Sequence, residues 1–338
     1  MNCDFLREAF VLVTDYVPAN TGEDVSDALQ KLILDNPKRV LYFPDGEYLL
    51  SKPICTPANP DHSVSLQLSN YAVIKAMDSW DSEEALIRLG AAEPFNTIHT
   101  NGSNYYLSGG IIDGNDVANG ISIDSGRETR VTDVSIKHTK IGLHVKYGAN
   151  SGSSDADICN VNIVGRGTED SIGLLVEGMD NTFTNMRIAR VQIGVKLIRG
   201  GNYLRNIHPL YSLKSGWDPY TESIAFCDLS WENWYDFCYS DQYCTGFFMK
   251  SGVHSIYHNC FCYWWKTLEG GEIGFRTDGT FCSLITNTKV TFRADAQNTN
   301  FLLVGESGGT GLIENPFFNE DMAPDKSYRD YLSGRVLR

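Results

Sequence analysis

The feature that most constrains this chain is a repeat: an Asn or Asp followed by alternating apolar residues. It reads Asp133-Val-Ser-Ile136, Asn160-Val-Asn-Ile163, Asn185-Met-Arg-Ile188, Asn206-Ile-His-Pro209, Asn259-Cys-Phe-Cys262 and Asn287-Thr-Lys-Val290, with Phe237-Cys-Tyr-Ser240 in the matching place. Between these starts lie strands led by glycine, such as Gly142-Leu-His-Val145, Gly173-Leu-Leu-Val176 and Gly246-Phe-Phe-Met249. The steps are 27, 25, 21, 31, 22 and 28 residues. Each step has room for two or three short strands of period-two alternation, joined by Gly, Asn, Asp and Ser turns, and for no useful helix. So short a turn of chain cannot bury its apolar face alone, so successive coils must stack. The recurring Asn points to an internal polar ladder, with stacked amides satisfying one another at a bend. A β-propeller needs about 40 residues and four antiparallel strands per repeat. The expected class is all-β: a right-handed single-stranded parallel β-helix of roughly seven coils.

The spacing predicts a single β-helix domain over residues 1–338: an N-terminal cap and first strands over 1–100, coils over 101–315, and a tail over 316–338. An open solenoid exposes an apolar end and needs a cap. Asp24 to Asp35 supplies one as a short amphipathic helix, with Val25, Leu29, Leu32 and Ile33 on one face. A strand over Arg39–Phe43 and a turn at Pro44-Asp-Gly46 follow.

Composition narrows the partners. The net charge of −14, from 42 acidic against 28 basic residues, disfavours nucleic acid, whose phosphates need a basic footprint. A neutral or weakly charged substrate fits better. No apolar run approaches the roughly 20 residues of a membrane span, so no membrane association is expected. The first fifteen residues carry Asp4, Arg7 and Glu8 where a signal peptide would be apolar, which favours a cytoplasmic location unless a signal was removed. The nine cysteines read as reduced thiols, and Cys238, Cys260 and Cys262 as small buried residues of successive coils rather than zinc ligands. No metal and no cofactor are expected.

The chemistry-bearing residues cluster. Between Tyr203 and Trp265 lie 18 of the 39 aromatic residues, including Trp217, Trp231, Trp234, Trp264 and Trp265. Indole and phenol rings stack on the apolar faces of sugars, and large exposed rings mark binding surfaces. Alternation predicts an outward column of Ser135, Asn162, Arg187, His208, Tyr239, Phe261 and Lys289, and a second of Ala189, Leu210, Asp241 and Tyr263. Coils spaced by about 4.8 Å make Arg187, His208, Tyr239 and Phe261 a stripe about 15 Å long. With Trp264 these are the expected substrate-binding residues. The longest step carries an insertion over 212–235 with Asp218, Glu222, Asp228 and Glu232, and a second loop runs from Trp264 to Glu272. Long loops on a rigid scaffold are where function tends to reside. Asp241 is expected to be a catalytic carboxylate, with Asp236 or Glu232 as partner and aromatic neighbours lowering the polarity around the acid of the pair.

The segment from Thr14 to Pro53 resembles the entry of the pectate-lyase superfamily, in which an acidic stretch, a capping helix and a strand ending in Pro-x-Gly-x-Tyr follow one another. Gly110-Ile-Ile-Asp-Gly114 is similar to the superfamily's first Gly-x-Ile-Asp-Gly coil. The resemblance implies a β-helix and a carbohydrate-directed activity. The Gly-His-Gly and Arg-Ile-Lys hallmarks of polygalacturonases are missing, and Arg187-Ile-Ala189 is the nearest fragment. The expected function is cleavage or rearrangement of glycosidic bonds in an oligo- or polysaccharide, foremost by a glycoside hydrolase with paired carboxylates. A polysaccharide lyase or glycosyl transferase, and a non-catalytic glycan-binding or tailspike-like β-helix, stay open. The resemblance also allows a homo-oligomer, such as a trimer.

Overall fold

The computed structural model describes residues 10–93, 105–147, 153–211, 222–268, 271–292, 299–318 and 327–333. The fold is a right-handed parallel β-helix. Its coils fall into two compact units, one comprising Met1–Arg166 with Leu174–Thr182, the other Gly167–Gly173 with Phe183–Arg338.

From Trp234 on, each coil of the second unit contributes three strands, whereas in the two coils before it the first two merge into the continuous strands Thr182–Ala189 and Tyr203–Leu210. Trp234–Asp236, Tyr239–Asp241 and Thr245–Met249 form one coil, and Ile256–His258, Phe261–Trp264 and Glu272–Thr277 the next. Like strands pair in parallel and in register: Tyr235↔Tyr257, Ser240↔Cys262 and Phe247↔Phe275. Alternation sends these residues inwards, where identical positions stack. Phe226 lies on Phe247 at 4.6 Å and Phe247 on Phe275 at 4.9 Å, while Tyr235 lies on Tyr257 at 4.6 Å. Each such ring pair adds about 0.5–1.5 kcal/mol beyond its area burial. Much of the aromatic cluster is therefore core. The glycine that leads the third strand is required for close approach: a Cβ on Gly246 would meet the Gly274 carbonyl oxygen at 2.7 Å and Cys262 Sγ at 2.5 Å.

From Asp133 onwards, the corner between the first and second faces of each coil is a residue with positive φ. Asp133, Asn160, Asn185, Asn206, Phe237, Asn259, Asn287 and Asn315 all have φ between 47° and 59°. Asn tolerates this region because its short amide bonds locally. Within each unit the amides bridge successive coils: Asn160 Nδ2 donates to Asp133 Oδ1 (2.9 Å), Asn206 to Asn185 (2.8 Å) and Asn315 to Asn287 (3.2 Å). The ladder exists but faces solvent, correcting the expectation of an internal one. The buried ladder sits at another bend of the second unit. There Asn202 N donates to Asn233 Oδ1 (3.0 Å), Asn233 N to Ser255 Oγ (3.2 Å) and Ser255 N to Ser283 Oγ (3.2 Å).

The interior also holds a carboxyl. Asp228, on strand Ile224–Asp228, is 1% exposed and accepts from Ser230 N, Asn233 Nδ2, Ser255 Oγ and Tyr257 Oη. Burial pushes its pKa up, in spite of these bonds. Cys238, Cys260 and Cys262 are buried in the same stack, their thiols directed at backbone carbonyls. Burial raises the Cys238 thiol to about 12, so it stays protonated.

The capping helix spans Ser26–Asp35 and buries Leu29, Leu32 and Ile33. Asp24 fixes its start, accepting from Ser26 N (3.0 Å) and Ser51 N (3.1 Å) and from both serine hydroxyls. Desolvation opposes ionisation, but these bonds prevail and lower the Asp24 pKa to about 2. A depressed carboxyl stabilises above its unfolded pKa, and that contribution is lost as pH falls through the folded value. Asp24→Ala is therefore expected to cost about 1 kcal/mol at neutral pH, allowing for solvent screening at this exposed site. The difference from wild type should shrink between about pH 4 and pH 2 in acid-dependent thermal melts. At the other end, Tyr328 of the short helix Ser327–Tyr331 packs against Phe301 at 5.4 Å.

Candidate functional site

The second strands of the coils in the second unit carry two outward columns in fixed register. Tyr239 pairs with Phe261 and Phe261 with Lys289, while Leu210 pairs with Asp241, Asp241 with Tyr263 and Tyr263 with Thr291. The residues between them, Ser240, Cys262 and Val290, point inwards and are buried. In the first column the His208 ring stacks on Tyr239 (4.1 Å, 16° between planes) and Tyr239 on Phe261 (4.8 Å, 24°). The Lys289 ammonium closes the stack, 5.4 Å from the Phe261 ring centre and 5.0 Å from that of Phe317. Arg187 is exposed on strand Thr182–Ala189, which pairs with the strand bearing His208.

Asp241 lies beside this stack with a side chain only 15% exposed, its Oδ2 3.8 Å from His208 Nε2. That is contact without a hydrogen bond. Asp241 Oδ1 and His208 Nε2 are both buried without a hydrogen-bond partner. Leaving such atoms unsatisfied costs about 1–3 kcal/mol each. Burial pushes the Tyr239 phenol well up, reinforced by the Asp241 charge and hydrogen bonding to it, then by Tyr263. Tyr239 therefore stays protonated as a donor. A carboxyl, an imidazole, a phenol and an apolar ring stack thus share one face.

The structure separates the other expected site residues. Asp236 stands before the Phe237 corner, on the neighbouring face. It is held there by Tyr203 Oη (3.4 Å), Arg205 Nε (3.8 Å), His258 Nδ1 (3.4 Å) and Asn259 Nδ2 (3.3 Å). Glu232 is an exposed turn residue with φ 60°, leading into strand Trp234–Asp236. Trp264 corrects its assignment as a substrate-binding residue. It is fully buried, and its indole nitrogen donates to the Tyr243 carbonyl at 2.7 Å. The cause is alternation, which continues through Trp264 before the loop begins: Phe261 and Tyr263 point out, Cys262 and Trp264 in. Tyr263 takes the outward place. Trp217 and Asp218 lie outside the described residues, as does the rest of 212–221.

Reading the sequence for carboxylates missed the corner itself. Thr184, Asn185, Arg205, Asn206 and Phe237 line a surface depression of about 450 Å³. Phe237 is 55% exposed there. The available signal was its place in a ladder otherwise made of Asn and Asp. Among the described residues, no group of three or more His, Cys, Asp or Glu side chains is placed to hold a metal ion.

The family described as rhamnogalacturonase A/epimerase, pectate lyase-like matches residues 10–218. The chain belongs to this family. The matched stretch includes Arg187 and His208 and ends before Tyr239, Asp241 and Phe261. No curated protein matches it. Among solved structures it is similar to ORF18 of Geobacillus virus E2, at 12% identity and a TM-score of 0.65 over 93% of this chain and 62% of that one. A mutant tailspike protein of E. coli bacteriophage HK620, in complex with pentasaccharide, aligns at 11% identity and TM-score 0.64 over 93% of this chain and 63% of that one. The A-module of Azotobacter vinelandii mannuronan C-5 epimerase AlgE4 aligns at 10% identity and TM-score 0.54 over 93% and 99%. The chain thus spans less than two thirds of the length of the first and second of these. At such identities the likeness is one of fold.

Proposed function

We propose that this family member is a carbohydrate-active enzyme that cleaves glycosidic bonds of an oligo- or polysaccharide laid along the second unit's outward stack. The observation that carries the reading is the His208–Tyr239–Phe261 ring column beside Asp241, whose Oδ1 has no partner. Sugar C–H faces stack on such rings, and convergent polar groups fix orientation. Family membership and the pentasaccharide-bound tailspike neighbour support the same substrate class.

The leading chemistry is hydrolysis. Asp241 acts as one carboxylate, at the wall of the ring stack, and a glycan that crosses the Phe237 corner would bring Asp236 or Glu232 of the same coil to it as the second. A spacing of about 6.5–9.5 Å between the two would give inversion and about 5–5.5 Å retention. Asp236 is held in place by its four neighbours. A second reading, eliminative cleavage of a uronate-containing glycan, is favoured by the imidazole of His208 3.8 Å from Asp241. In that reaction His208 would remove the proton from the carbon that bears the carboxylate, and Tyr239 would donate to the oxygen leaving the adjacent carbon as the double bond forms.

Product analysis separates these readings. Hydrolysis yields saturated ends with one oxygen from labelled water, whereas elimination yields an ultraviolet-absorbing unsaturated end and takes up no water. Binding without any product would leave a glycan-binding module. Tyr239→Ala should weaken oligosaccharide binding about tenfold with an unchanged thermal midpoint. Undiminished affinity in calorimetric titration would move the glycan off the stack.

A further inference from the structure

We infer that the depression beside Phe237 is a sugar subsite, with the Phe237 ring as its platform and Arg205, Asn185 and Asn206 as its polar rim. The inference rests on the proposed glycan-directed function and adds a subsite on the far side of the corner from Asp241.

Phe237 is anomalous three times over. Its φ of 53° belongs to a region that a bulky side chain enters at a cost, and the other corner residues of the ladder that adopt it are Asn or Asp. The conformation is imposed by the stack: Phe237 N donates to the His258 carbonyl (3.2 Å), just as Asn259 N donates to Thr286 (3.1 Å) and Asn287 N to Glu314 (3.0 Å). The ring is also 55% exposed, so burial does not offset the strain. Finally, it interrupts the amide ladder. Asn206 bonds away from it to Asn185, and Asn259 reaches past it to Asp236. Strain held by a rigid scaffold, with an exposed ring and a broken ladder as its products, is what a binding position looks like.

The surroundings specify the ligand class. An apolar ring faced by two amides and a guanidinium matches a pyranose, which offers a C–H face and a rim of hydroxyls. Arg205 is 56% exposed and leans on Asp236 at 3.8 Å, so its charge is balanced by a carboxylate while its remaining donors are open to a ligand. A site of near-zero net charge suits a neutral sugar unit. Phe237 precedes Tyr239 by two residues, so a glycan on the ring stack needs only one further unit to reach it.

The test is Phe237→Asn, which restores the ladder residue. It is made in the Asp241→Asn background so that turnover does not consume the probes. The probes are cellohexaose, mannohexaose, xylohexaose and hexagalacturonate, with binding followed by calorimetry. Phe237→Asn should raise the thermal midpoint by about 2–4 °C while weakening the bound neutral hexaose about tenfold, and Phe237→Tyr should bind like the parent. Phe237→Leu, which keeps the bulk and loses the ring face, should weaken binding as the Asn variant does, even if the latter folds poorly. Unchanged affinity in the Asn and Leu variants overturns the subsite. Weakening confined to hexagalacturonate overturns the neutral class. If the parent binds no probe, the glycan-directed function itself fails and takes the subsite with it.

Discussion

Asp241→Asn protein is expected to turn over its glycan at least about a thousandfold more slowly than wild type, with oligosaccharide affinity and melting temperature nearly unchanged. Removing a group that acts on the reacting atoms lowers kcat by such factors, because its contribution is realised in the transition state. The fold loses little, since an amide oxygen can still accept from the Tyr239 phenol, Asp241 Oδ1 has no partner, and His208 stands 3.8 Å away without a hydrogen bond. Initial rates on a cleaved oligosaccharide, beside a thermal melt, decide it. Near-normal turnover would remove Asp241 from the mechanism, and a collapse in stability would make it structural. His208→Gln should abolish turnover under the eliminative reading, and near-normal turnover would remove the imidazole as the base.

The second large effect lies in the interior. Asp228→Ala should destabilise the second unit by about 3–5 kcal/mol, because it strands the donors of Ser230, Asn233, Ser255 and Tyr257 in a sealed core. Asp228→Asn should cost far less. Its amide oxygen can still accept, and its amide nitrogen can donate to hydroxyls that rotate to receive it. The two variants also differ in pH dependence. Burial raises the Asp228 pKa, so the folded state holds that proton more tightly than the unfolded chain does. Its stabilising contribution is full below about pH 4, the unfolded value, and falls as pH rises through the raised folded value. Wild type should therefore lose stability across that rise relative to Asp228→Asn, whose residue 228 does not titrate. Equal slopes for the two proteins in urea melts across this pH range would contradict the assignment.

What was legible in the sequence was what period-two alternation controls. A one-residue slip would reverse every side chain of a strand, so the alternation fixed which residues of Asn206-Ile-His-Pro209 and Phe237-Cys-Tyr-Ser240 face outward, and the stacked column His208–Tyr239–Phe261 followed. The same rule, stopped one residue early, sent Trp264 to the surface. Alternation says nothing about a corner residue, whose side chain follows its φ rather than the pleat, and the exposed amide ladder was accordingly placed inside. The truly buried ladder changes from Asn202 and Asn233 to Ser255 and Ser283, so no single residue type marked it. Asp228 looked like part of a loop because the step containing it is long, yet it ends a buried strand. The pairing of Asp236 with Arg205 and His258 depends on which coils stack, a relation across 22 to 31 residues that a local pattern does not carry.

The central claim is that a glycan lies on the outward stack with its scissile bond at Asp241. It is tested most directly by a crystal structure of the Asp241→Asn protein soaked with an oligosaccharide that the wild type cleaves. The account predicts sugar rings stacked on Tyr239 and Phe261, with a glycosidic oxygen within hydrogen-bonding distance of residue 241. Well-defined sugar density on another face, with the His208–Tyr239–Phe261 column bare, would contradict it.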